Sequence, residues 1–145
     1  MQSQKFWTIS KKVLPQHTDH AGVAWHGSYL NWLEEARIDA LSKAGKDYGE
    51  IIKDGFELPV IELNIKYLFP VFIGEQITIN SYFQIKDRSP KIKVSSELFN
   101  SSMHLCVHAE VLLVLVQKSK FKIVRNKPEY LSNLFRELSA GPDLT

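Results

Sequence analysis

Cysteine is almost missing from this chain: Cys106 stands alone among 145 residues. That excludes an intramolecular disulfide framework and any multi-cysteine zinc or iron–sulfur site. Long apolar runs are missing too, since the longest wholly aliphatic stretch is residues 111–116, far short of the roughly 20 residues that cross a bilayer. Charge is nearly balanced, with eighteen Lys and Arg against sixteen Asp and Glu; an excess of +2 does not point to nucleic acid. The first residues carry no apolar h-region, so no secretory signal is expected and a cytoplasmic protein without membrane insertion is the default. There is no G-x-S-x-G, no G-x-G-x-x-G and no H-E-x-x-H. Gly22 and Gly27 are spaced like the glycines of a P-loop, but Ser28 stands where that loop needs Lys. What is present is ordinary globular composition, 44% apolar and 23% charged, which predicts a single domain over residues 1–145.

The order of elements is one strand, one long helix, then strands. Residues 6–14 are β-rich and Pro15 closes them. Residues 28–44 read as a helix, with Ser28 as the capping hydroxyl and Gly45 just past its end. Its expected apolar stripe is Tyr29, Leu30, Leu33, Ala36, Ile38, Ala40, Leu41 and Ala44. A short helix is expected at 47–53, and strands at 60–69, 75–86, 91–100 and 104–117, separated by Pro70, Arg88-Ser-Pro and Asn100-Ser-Ser. Residues 120–124 extend the last strand or form a short one, and 128–138 form a terminal helix. This is an α+β pattern: a five-stranded antiparallel sheet wrapped around one long central helix. Open sheet edges predict dimerisation through an edge strand.

Reactive groups concentrate in residues 16–29, which hold three of the five histidines, Asp19 and two glycines, and lead into the start of the long helix. The first turn of a helix has unpaired N–H groups and about half a positive charge, so a carbonyl oxygen placed there is polarised. Asp19, a few residues upstream, supplies a carboxylate for the opposite side of that carbonyl, the minimum for acyl transfer. The competing reading is that Asp19 and Ser28 are turn and capping residues only. His17, His20 and His26 show no established metal-ligand spacing, and no metal is expected. His104 and His108 fall on one face of a strand, Glu34 and Arg37 form a helix-surface or interface pair, and Lys118, Lys120 and Lys122 alternate along an edge strand.

Thr18-Asp19, Gly22-Val23, Trp25-His26, Tyr29-Leu30 and Glu35-Ala36-Arg37, with Leu63–Pro70 and Gly74-Glu75 further on, resemble the hot-dog-fold acyl-CoA thioesterases of the 4-hydroxybenzoyl-CoA thioesterase type, including the Tol–Pal-associated branch. The resemblance covers roughly residues 5–130. It implies the hot-dog fold and a homodimer or homotetramer with active sites at the dimer interface. It also implies hydrolysis of an acyl-CoA or acyl-carrier-protein thioester without a cofactor. By position, Asp19 matches the catalytic aspartate, acting as nucleophile or as general base on water. His26 would contribute its backbone N–H, and Gly22 lets the loop turn beneath the substrate. Val23, Trp25 and Tyr29 belong to the same signature and are expected to bind substrate. For the phosphates of coenzyme A the chain offers Arg88, Lys91 and Lys93, or the basic stretch 118–127. Two departures stand out: His17, where the family often has an acid, and His20, where it has Ala or Pro. If protonated, these histidines would stabilise the Asp19 carboxylate. The alternatives are a non-catalytic acyl-CoA-binding module of the same fold and a hot-dog hydratase, for which no matching His–acid motif is present.

Overall fold

A computed structural model describes residues 5–143. Its elements are β1 (Trp7–Lys12), a 3-10 turn (Pro15–His17), α1 (His26–Ala44), α2 (Tyr48–Lys53), β2 (Phe56–Glu57), β3 (Val60–Tyr67), β4 (Gln76–Gln84), β5 (Lys91–Phe99), β6 (Leu105–Val114), β7 (Val116–Gln117), β8 (Lys122–Ile123) and α3 (Glu129–Ala140). The five long strands form one antiparallel sheet in the order β1-β4-β5-β6-β3. A small second sheet, β2-β7-β8, lies at one end.

Period-two alternation decides which side of the sheet is buried. In β4 the side chains of Ile77, Ile79, Ser81 and Phe83 are buried while their neighbours are not. Register aligns this row with Leu98, Ser96 and Val94 of β5, and those with Val107, Ala109 and Val111 of β6. Against this row lies α1, which is 19 residues long, or about 28 Å at 1.5 Å per residue. Its N-terminal half buries Tyr29, Trp32, Leu33 and Ala36 against Ile77, Ile79, Leu98 and Val71. The C-terminal half buries Ala40 and Leu41 with Phe83, Val94, Leu131 and Phe135. Each large side chain so removed from water contributes about 1.5–3 kcal/mol before entropy is counted.

Several expectations change here. The sheet has two helical covers, because α3 adds Leu131, Leu134, Phe135 and Leu138 to the core and accepts a hydrogen bond from Trp7 Nε1 at the Leu138 carbonyl, 2.9 Å away. The cap of α1 lies three residues earlier than the expected Ser28; Trp25 occupies the cap position and makes no side-chain capping bond. Ser28 is buried inside the first turn, and its hydroxyl donates to the His17 carbonyl instead. Leu30 points outward and Trp32 is fully buried, because α1 presents positions 29, 32, 33, 36, 40 and 41 to the sheet. Lys118 and Lys120 lie between β7 and β8, where the chain reverses, and only Lys122 is on a strand. His104 precedes β6 and packs edge-on against Phe69, so it shares no strand face with His108.

Close approach of α1 is to β1 and β4. The inner face of β3 is consequently covered only in part: Ile65 packs on the core, but Leu63 is 42% and Tyr67 50% exposed, and Val60 and Ile61 on the same edge strand are also exposed.

Candidate active site

The loop between β1 and α1 is closed by its own backbone. Asp19 N donates to Val23 O at 2.9 Å, and Gly22 N donates to Asp19 O at 3.0 Å. Gly22 has φ +78, a left-handed conformation that L side chains disfavour, and its carbonyl accepts from Ile73 N at 2.9 Å. The loop is thereby fastened to the segment 71–75, where Val23 also bridges to Phe72 and Glu75 Oε2 accepts from Phe72 N at 2.8 Å.

Within this turn the Asp19 carboxylate is held by one oxygen. Oδ1 accepts from Ala21 N at 2.9 Å and from Val23 N at 3.2 Å, an Asx-type arrangement. Oδ2 takes no hydrogen bond from the described residues, and the residue is exposed. A carboxylate fixed at one oxygen and open at the other suits either attack on a carbonyl carbon or removal of a proton from water.

The same loop is bonded to the start of α1. Trp25 N donates to His17 O at 3.1 Å and Ser28 Oγ to the same oxygen at 2.8 Å. Ser28 N donates to Trp25 O at 2.9 Å, whereas no acceptor among the described residues stands against the amides of His26 and Gly27. Those are the orphan donors of a helix N-terminus, with the dipole behind them. The Trp25 ring lies over Gly27, where a Cβ would come within 2.0 Å of it. In front of His26 opens a cavity of about 360 Å³ lined by His26, Tyr29, Tyr67, Phe69 and Pro70. Tyr29 meets Tyr67 and Trp32 edge-on at 5.2 and 5.5 Å. Burial pushes the Tyr29 hydroxyl above its ordinary range, and a backbone hydrogen bond from Val71 opposes this.

Of the residues singled out in the sequence, Asp19, Gly22, Val23, Trp25, His26 and Tyr29 are brought together. Arg88, Lys91 and Lys93 are not. Arg88, at φ +63 in the β4–β5 turn, lines a cavity of about 520 Å³ with Lys86, Arg125, Lys127 and Arg136 at the α3 end of the molecule. Lys127 there donates to Ser89 O at 2.9 Å, and burial lowers its pKa. Lys91 and Lys93 line a neighbouring cavity of about 570 Å³, and Lys93 pairs with Glu110 at 3.4 Å. Glu34 and Arg37 do not form a close ion pair; Arg37 is half-buried, and burial lowers its pKa against the pull of Glu34. Among the described residues, no three His, Cys, Asp or Glu side chains gather as metal ligands.

His17 is the residue whose part was not anticipated. Its Nδ1 accepts from Leu14 N at 3.0 Å, so its ring proton sits on Nε2. The ring packs edge-on against Trp32 at 5.0 Å. The ring makes no hydrogen bond or ion pair with Asp19, whose Oδ1 is held by the amides of Ala21 and Val23.

A long helix enclosed by a five-stranded antiparallel sheet in the order β1-β4-β5-β6-β3 is the hot-dog fold. The chain belongs to the thioesterase-like superfamily, whose family model matches residues 13–134. It is 35% identical over 131 residues to a Synechocystis sp. protein assigned as an esterase, sll0410, covering 87% of this chain and 76% of that one. Identity is 28% over 121 residues to Bacillus subtilis YneP, assigned as an acyl-CoA thioesterase, with 81% of this chain and 86% of the relative covered. Among solved structures, a DHNA-CoA thioesterase from Staphylococcus aureus superimposes with a TM-score of 0.82 at 26% identity, covering 90% of this chain and 89% of that one. No helix among the described residues is long and apolar enough to cross a membrane.

Proposed function

We propose that this protein is a cytoplasmic acyl-CoA thioesterase of the 4-hydroxybenzoyl-CoA thioesterase type, the group that includes the Tol–Pal-associated branch. It cleaves an acyl thioester to a free acid and a thiol. The observation that carries the proposal is the Asp19 carboxylate, pinned at Oδ1 and open at Oδ2 on a loop bonded directly to the first turn of α1. The thioester oxygen lies against the unpaired amides at His26, which stabilise the oxyanion. Oδ2 of Asp19 acts from the other side of the carbonyl. It either attacks the carbon, giving a mixed anhydride that water then hydrolyses, or takes a proton from the attacking water. The departing thiolate is stable enough to leave without a strong general acid. Gly22, Val23, Trp25 and Tyr29 shape the acyl side, and the aromatic lining of the cavity beside His26 accepts either a fatty chain or an aryl ring.

The working unit is a dimer, itself able to pair into a tetramer. The partly open inner face and apolar edge of β3 support pairing of two copies edge to edge, because such an edge is otherwise a liability. Arg88, Lys91 and Lys93 hold the phosphates of coenzyme A. They lie at the opposite end of α1 from Asp19 within one protomer, so one ligand meets both groups only across two copies.

The test is thiol release from a panel of aliphatic and aromatic acyl-CoAs with chelator present. Turnover that survives the chelator supports the proposal. Binding without turnover on any acyl-CoA or acyl-carrier protein would instead indicate a binding module of the same fold.

A further inference from the structure

We infer that His17 is a positioning residue for Asp19, acting through the lone pair of its Nδ1; the inference rests on the reading of Asp19 as the reacting carboxylate. Every backbone polar group of His17 is engaged. Its N–H donates to Leu14 O at 2.9 Å, and its carbonyl accepts from both Trp25 N and Ser28 Oγ. Nδ1 closes the turn by accepting from Leu14 N. Thr18, the next residue, is held at Pro15 O by its N–H and by its hydroxyl, at 3.0 and 2.9 Å. The chain is therefore fixed from Leu14 up to the residue before Asp19, and one carbonyl, that of His17, joins this turn to the start of α1. That carbonyl, together with the Asp19–Val23 bonds, keeps Asp19 and the His26 amide in their mutual position. The ring has a second job, packing on fully buried Trp32. The two jobs use different parts of the side chain, and substitution can separate them.

Asn places its Oδ1 the same number of bonds from Cα as His Nδ1, so His17→Asn keeps the acceptor and loses the ring. His17→Phe keeps the ring and loses the acceptor. Both variants are compared with wild type and Asp19→Asn for kcat, KM and thermal midpoint, using an acyl-CoA that the wild-type enzyme hydrolyses. The expected result is a crossing. His17→Asn retains kcat within about threefold although it melts lower, and His17→Phe melts higher than His17→Asn but loses about tenfold in kcat with KM changed less than about twofold, a rise of about 1.4 kcal/mol in the barrier as Asp19 loses its alignment. A merely structural role makes kcat follow stability. The inference is overturned if kcat ranks with the melting temperatures, or if His17→Phe keeps the full rate while Asp19→Asn is inactive. If Asp19→Asn itself keeps the full rate, the reading of Asp19 fails and this inference falls with it.

Discussion

Replacing Ser28 separates two physical roles that the same residue type can serve. Were its hydroxyl an N-cap acceptor, Asp would serve equally well there. In the structure the hydroxyl is a donor, 2.8 Å from the His17 carbonyl, in a position only 2% exposed. Ser28→Ala leaves that carbonyl its second partner, Trp25 N at 3.1 Å. The loss is therefore one neutral hydrogen bond, about 1 kcal/mol, or about 3 °C in melting temperature for a chain of this size. Ser28→Asp is far worse, because a carboxylate cannot donate and would face a carbonyl oxygen in a buried site. An unpaired buried charge costs about 3–5 kcal/mol, and the helix dipole returns about 1 kcal/mol. The net loss is about 2–4 kcal/mol, or about 6–12 °C. Thermal and urea unfolding followed by circular dichroism at pH 7 give the ranking wild type, Ala, Asp. An Asp variant as stable as the Ala variant, or more so, would refute the donor role.

Gly22→Ala should cost about 1–2 kcal/mol through its left-handed backbone, since the added Cβ meets Ile73 Cγ2 at an ordinary 3.4 Å; an unchanged melting temperature would show that the loop does not require that conformation. Gly27→Ala must push the Trp25 ring off the start of α1. The expected outcome is a red shift in tryptophan emission and a raised KM, and emission and KM that both stay put would contradict the packing described. Tyr130 donates to Asp54 Oδ2 at 2.8 Å. Burial, followed by the Asp54 contact, pushes the Tyr130 hydroxyl up to about 12. Because the folded value is raised, the stability linked to this group is fully present below the unfolded value near 10 and is lost as pH rises towards about 12. Spectrophotometric titration of Asp54→Asn should move one tyrosine to lower pH, and superimposable curves for mutant and wild type would refute the link.

How far the sequence discloses the fold depends on the range of the interactions involved. The five long strands are legible because alternation such as Ile77, Ile79 and Phe83 and stops such as Pro70 are local. Sheet order and the second helical cover by α3 are not, since they depend on packing between distant segments. Ser28 misleads for a clear reason: a serine near a helix start is read as an acceptor, and only the fold shows that it donates to a residue eleven positions back. Asp19 and the His26 amide are legible as a loop leading into a helix. The clamp at His17 is not, because an imidazole in a loop gives no local sign of which nitrogen is engaged. The basic cavity is likewise hidden, as Arg88, Arg125, Lys127 and Arg136 come from separate segments.

The proposed chemistry stands on the Asp19 carboxylate, and Asp19→Asn removes its charge alone. The side chain keeps its shape and an oxygen to accept the amides of Ala21 and Val23, but loses the negative charge. Wild type and variant are compared for thiol release from the best acyl-CoA, for binding of a non-hydrolysable analogue, and for melting temperature. The expected result is unchanged binding and stability with turnover lowered by about 10²–10⁴-fold. Turnover retained at the wild-type rate in a folded variant would contradict the proposed chemistry.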